Sequence, residues 1–208
     1  PLLIKGGRII DPAQKLDAIG DLLITGGVIT FVGKGAIPPD CDVLDAKGLV
    51  VCPGFIDLHC HLREPGYEKK ETIATGTRAA ARGGFTTVCC MPNTNPPLDS
   101  ADAINNVKSK VDTEAAIRVL PIGCISKGRK GMELTDMDAL ADAGVVAFSD
   151  DGDSAGEDVI RQALECSRTL GLPVIEHCED KEAVAGGVMN DGVVSQKLGL
   201  AGMSAAAE

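Results

Sequence analysis

The sequence predicts an α/β fold, in which parallel strands alternate with crossover helices behind an all-β N-terminal segment. Three observations predict it. Residues 1 to about 50 carry Leu- and β-branched runs broken by Gly-Gly. From Leu49 the rhythm becomes strand, then helix, repeatedly. The polar, reactive side chains stand at the C-terminal ends of the strand runs, where α/β folds build their sites.

In order, LLIKGGRI (Leu2–Ile9) recurs as LLITGGVI (Leu22–Ile29), and each Gly-Gly predicts a hairpin turn. Ala36–Asp40, with Pro38 and Pro39, reads as a loop, and Asp42–Ala46 as a short strand. Strand Val50–Leu58 leads into His59, His61 and Arg63. Thr72–Arg82 is an Ala-rich helix stopped by Gly83-Gly84. Strand Phe85–Cys90 ends in MPNTNPP (Met91–Pro97). Ser100 caps helix Ala101–Val111, and strand Ala115–Gly123 follows. The loop SKGRKG (Ser126–Gly131) reads as a basic, solvated turn. Thr135 caps a short helix through Ala143. Strand Val145–Ser149 ends in Asp150-Asp151-Gly152, helix Ser154–Leu170 stops at Gly171, and strand Leu172–Glu176 ends in His177. Helix or loop runs on to Glu208. The count is five parallel strands, with the domain change at residues 48/49.

The 208 residues suffice for a buried core. Twenty basic against 30 acidic residues, net −10, argues against nucleic acid and anionic membrane as partners. An anionic substrate would then need a local cation. With no Trp and one Tyr, a base-stacking platform is not expected. Eight cysteines form no CxxC pair and lie mostly in apolar runs, and no run reaches 18 apolar residues. That predicts a reduced, cytoplasmic setting, with Cys60 and Cys178 as packing residues.

The chemistry gathers around PGFIDLHCHLREPG (Pro53–Gly66). Side chains at i, i+2 and i+4 of a strand share a face, so His59, His61 and Arg63 should point together. Imidazole is the commonest side-chain ligand for zinc and related metals. His177 offers another imidazole, and Asp150 or Asp151 a carboxylate that bridges two ions. Such a centre activates water for attack on a carbonyl. Asp151 and Asp153 are also plausible caps for the helix starting near Ser154, so a structural reading competes with the metal one. A (β/α)8 barrel and an open doubly wound sheet both place such residues at strand ends, but neither GxGxxG nor GxxxxGK[ST] is present.

PGFIDLHCHLREPG, MPNTNPP, FSDDG and EHCED together resemble a class I dihydroorotase of the amidohydrolase superfamily, across nearly the whole chain. The resemblance implies the first five units of a (β/α)8 barrel (49–208) behind part of a small β-sandwich (1–48). It implies two zinc ions, with His59 and His61 on one and His177 on the other. Asp151 would bridge them and hold the hydroxide, with Asp150 the less favoured choice. Arg63 and Asn93 would bind the substrate carboxylate, Arg63 as a two-pronged donor. The reaction would interconvert dihydroorotate and N-carbamoyl-L-aspartate in pyrimidine synthesis. A homo-oligomer and aspartate carbamoyltransferase are the protein partners compatible with such an enzyme.

In that family the general acid is an aspartate on the last strand, and a further His ligand lies on the sixth. Both are expected beyond Glu208, so the 208 residues are expected to be part of a longer protein and inactive alone. Two other functions stay open: an allantoinase- or hydantoinase-like cyclic amidohydrolase, and a non-catalytic scaffold subunit of aspartate carbamoyltransferase. The absence of a lysine near Asp150-Asp151 weighs against the first. The presence of all three histidines weighs against the second.

Overall fold

A computed structural model describes residues 1–35, 38–153, 155–184 and 186–207. The chain divides into two compact units, Pro1–Gly54 and Phe55–Glu208. Ala36 and Ile37 of the expected loop, and Ser154 at the expected start of a helix, lie outside the described residues.

The first unit is a mixed sheet of β1 (Leu2–Asp11), β2 (Leu16–Thr25), β3 (Val28–Gly33), β4 (Asp42–Asp45) and β5 (Val50–Val51). Its order is β3-β2-β1-β4, with β5 also on β1. The two Gly-Gly pairs behave differently. Gly26 and Gly27 have φ of 60° and 79° and form the tight β2–β3 hairpin, a turn that needs positive φ at both positions. Gly6-Gly7 forms no turn: β1 runs through it, with a bulge between Ile4 and Gly7, and the freed Gly6 N–H donates to Asp21 Oδ1 at 2.8 Å. The first hairpin closes instead at residues 12–15.

The strand expected at Val50–Leu58 is two strands. Val50–Val51 pair in parallel with β1, and Cys52–Gly54 break the run, since Pro53 has no N–H to give a ladder. The second unit therefore starts with β6 (Phe55–Cys60). Helix α1 (Ile73–Arg82), β7 (Phe85–Cys90), helix α2 (Ala101–Glu114), β8 (Arg118–Pro121) and helices α3 (Met137–Ala143) and α4 (Glu157–Leu170) follow. Among the described residues β6, β7 and β8 form a three-stranded parallel sheet in that order.

The segments 145–149 and 172–176 continue the sheet only as isolated parallel bridges, Gly123↔Phe148 and Phe148↔Val174. Prolines explain this. Val146 N–H reaches the Pro121 carbonyl at 3.0 Å, and Phe148 N–H the Pro173 carbonyl at 3.0 Å. Neither proline returns a bond, so the ladder stops short of full strands.

Local signals set the helix ends. Thr72 accepts from Thr75 N, and Ser100 from Ala103 N, as capping residues. Helix α3 is capped by Asp136 rather than Thr135, whose hydroxyl donates instead to the Cys124 carbonyl at 2.8 Å. Ile73, Val88, Cys90, Ile104, Val107, Leu140 and Phe148 form the core between sheet and helices. Cys89, Met91, Ile122 and Ala147 cluster separately, as the period of two along β7 requires. Cys60 packs on the helix side, as expected. Cys178, expected to pack, is exposed instead, because the chain has left the sheet after Val174.

Candidate metal centre

His59, within β6, and His61, just past its end, meet the carboxylate of Asp151. Ligand atoms of the three lie within 4.8 Å of one another. His59 Nε2 is 3.3 Å from Asp151 Oδ1, and His61 Nε2 is 3.6 Å from Asp151 Oδ2. The two rings stand edge to face, 5.1 Å apart. Asp57 Oδ1 accepts the His59 backbone N–H at 3.0 Å, where the β6–β7 register slips between Asp57 and Cys60.

Asn93 decides the proton positions. Its Nδ2 lies 2.7 Å from Asp151 Oδ2, and its Oδ1 lies 3.0 Å from His61 Nδ1. An ionised carboxylate only accepts, so the amide nitrogen must face Asp151. The amide oxygen then faces His61, which must donate from Nδ1. In the neutral ring this puts the Nε2 lone pair of His61 on the Asp151 side, the tautomer a metal ligand needs. Ligand atoms separated by 3.3 and 3.6 Å match the spacing around a tetrahedral ion with bonds of about 2.1 Å. Two imidazoles and a carboxylate fit zinc or a similar divalent ion.

The loops carrying these residues lock together. Asn95 N–H donates to the Pro65 carbonyl at 2.9 Å. Gly66, at φ 95°, lies so close that a Cβ there would sit 2.2 Å from the Asn95 carbonyl oxygen. Only glycine permits that approach, and it holds the Asn93 loop beside the histidine loop. Glu64 is buried, accepts from Ile73 N at 2.9 Å, and is bonded by Lys110, tying the same loop to α1 and α2.

The aspartates have separate jobs. Asp150 is fully buried, and its carboxylate accepts from Ile125 N, Ser126 N and the Ser126 hydroxyl. Burial pushes its carboxyl above the ordinary carboxylate range, with these donors pulling against it. Neither aspartate caps α4, whose N-cap is Gly156.

Arg63 and His177 are not in the cluster. Arg63 lies beyond the end of β6 with φ 60°, so strand alternation, which predicted a shared face, no longer applies to it. It is half-buried, and its carbonyl accepts from Tyr67 N at 3.0 Å. His177 is exposed and lies 3.6 Å from Glu179.

The model of dihydro-orotase-like proteins matches residues 48–208 of this chain. The chain belongs to this family. It is 48% identical over 208 residues to the dihydroorotase of Aquifex aeolicus, an alignment covering 100% of this chain and 49% of that protein. It is 52% identical over 209 residues to the dihydroorotase of Citrifermentans bemidjiense, with the same shares of 100% and 49%. The chain thus spans about half the length of the curated relatives it matches. The solved L-hydantoinase (dihydropyrimidinase) of Arthrobacter aurescens superposes with a TM-score of 0.77 over 89% of this chain and 42% of that one. At 20% identity it is a likeness of fold.

This dihydro-orotase-like chain holds two residues that sequence reasoning passed over. Glu176 Oε1 is buried with no hydrogen-bond partner among the described residues. Burial, and then the charge of Asp150, push its carboxyl up to about 7, with His177 opposing. Its signal was an acid closing an apolar run. The other is Arg129, in the loop expected to be solvated. Ser126 in that loop is fully buried, and the Arg129 side chain is only 17% exposed. No helix among the described residues is long and apolar enough to cross a membrane.

Proposed function

We propose that the native protein carrying this chain is a zinc-dependent dihydroorotase that reversibly opens dihydroorotate to N-carbamoyl-L-aspartate in the cytoplasm. The observation that carries this reading is the convergence of His59, His61 and Asp151 in a chain of this family. On this reading Phe55–Glu208 supplies the first five strand–helix units of a (β/α)8 barrel and Pro1–Gly54 part of a β-sandwich. The parallel order β6-β7-β8 and its continuation through Phe148 and Val174 support it. So do the exposed Phe55, Ile56 and Leu58 on the edge strand β6, apolar surface that a completed barrel would cover.

His59, His61 and Asp151 would hold a first ion, and His177, from the end of its own segment, would serve a second. Bound there, the metal supplies Lewis acidity and lowers the pKa of water. Asn93 keeps His61 in the ligand tautomer and, with one amide N–H on Asp151, retains a second N–H for the substrate carboxylate. Arg63 is the cation that lets an acidic protein bind that anion.

Dihydroorotate, hydantoin and allantoin assayed in parallel with the native protein test the reading. Hydrolysis of dihydroorotate that stops on chelation and returns with zinc is expected. Turnover of hydantoin or allantoin in its place overturns it.

A further inference from the structure

We propose that Arg129 is a positioning residue for the metal centre: its guanidinium clamps the two backbone carbonyls from which Asp151 is hung. Arg129 Nε and Nη2 donate to the Asp150 carbonyl at 2.9 and 2.8 Å. Nη2 also donates to the Asp151 carbonyl and reaches Asp153 Oδ2 at 2.8 Å. One side chain therefore holds both peptide groups flanking the Asp151 Cα and the carboxylate two residues on.

The clamp is itself anchored. The Ser126 amide and hydroxyl bind the Asp150 carboxylate, and Gly131 N–H donates to Ser126 Oγ at 2.8 Å. Gly128 N–H donates to Asp99 Oδ2 at 2.7 Å, and Gly156 N–H to the Gly131 carbonyl at 2.9 Å. The loop thus grips the 150–153 turn twice, through the Asp150 side chain and through the backbone carbonyls. With those peptides held, the Cα–Cβ bond of Asp151 has one direction, toward His59 and His61. A planar guanidinium can satisfy two carbonyls and a carboxylate at once, which an ammonium cannot do with the same geometry. Outer residues that orient ligands in this way typically change metal affinity by about 10- to 100-fold when removed.

The inference rests on the reading that His59, His61 and Asp151 bind a divalent ion. It is tested by titrating cobalt(II) into the metal-free native protein and following its visible absorption, for wild type, Arg129→Gln and His59→Ala. The expected result is a cobalt spectrum in wild type, its loss in His59→Ala, and in Arg129→Gln an altered spectrum with affinity at least about 10-fold weaker. A merely structural role would lower the melting temperature of Arg129→Gln but leave the spectrum and affinity of the folded protein as in wild type. That outcome overturns the inference and leaves the metal reading standing. Wild type and His59→Ala behaving alike overturns the metal reading, and the inference with it. If Arg129→Gln does not fold, Arg129→Lys, which keeps the charge and loses the fork, decides between the same outcomes.

Discussion

Asn93 Nδ2 donates to Asp151 Oδ2 at 2.7 Å across a sequence separation of 58 residues. With its other end on His61, Asn93 couples that imidazole to the carboxylate. Asn93→Leu keeps the volume and removes both bonds. Cobalt or zinc affinity of the native protein should fall about 10-fold or more by titration calorimetry. Unchanged affinity would show that Asn93 does not organise the centre.

Asp150 and Asp151 should separate cleanly by mutation. Asp151→Asn should lose metal while the metal-free protein keeps its melting temperature. Asp150→Asn should do the reverse, because an amide nitrogen placed against the Ser126 and Ile125 donors leaves buried groups unpaired, at a cost of about 1–3 kcal/mol. Metal stoichiometry and urea denaturation on both variants check this, and an exchange of the two phenotypes would reverse the assignment.

Thr77 is fully buried in α1; its hydroxyl donates to the Ile73 carbonyl at 2.6 Å and accepts from Ala116 N at 3.0 Å. It pins the turn after α2 to the middle of α1. Thr77→Val preserves the shape and orphans the Ala116 amide, so chemical denaturation should show a loss of about 1–3 kcal/mol. A loss under about 0.5 kcal/mol would mean that water or backbone adjustment satisfies that amide.

Burial pushes the Cys90 thiol up to about 12 and raises that of Cys124 as well. A raised thiol pKa means less thiolate at any pH below it, so at pH 8 Cys90 reacts slowly even where reagent can reach it. Cys52 and Cys178 are exposed. Brief iodoacetamide treatment of the native protein at pH 8, read by mass spectrometry, should label Cys52 and Cys178 and spare Cys90 and Cys124. Labelling of Cys90 at the rate of Cys52 would contradict the packed arrangement of β7.

Much of the second unit was legible residue by residue. Thr72, Ser100 and Gly171 mark helix ends because capping and left-handed termination act within one turn of chain. In strand Phe85–Cys90 the last three residues, Val88, Cys89 and Cys90, are buried because both faces are covered there. Gly6-Gly7 and Thr135 misled for one reason. Each has a local propensity that a partner from elsewhere redirected, Asp21 for the first and the Cys124 carbonyl for the second. Val50–Val51 were claimed by β1, a competition that spacing within Val50–Leu58 does not reveal.

From its residues alone, then, this chain dictates most helix ends, strands such as Phe85–Cys90, and which side chains have the chemistry to bind a metal. Those properties depend on neighbours within a few positions. Folding alone decides that Asp151 meets the histidines while Asp150 is consumed by Ser126. Folding also decides that Asn93 sets the His61 tautomer and that Arg129 grips the 150–153 turn. Adjacent carboxylates have the same intrinsic chemistry. Distant loops, brought together when the sheet buries its apolar faces, supply the donors that make one structural and leave the other beside the histidines.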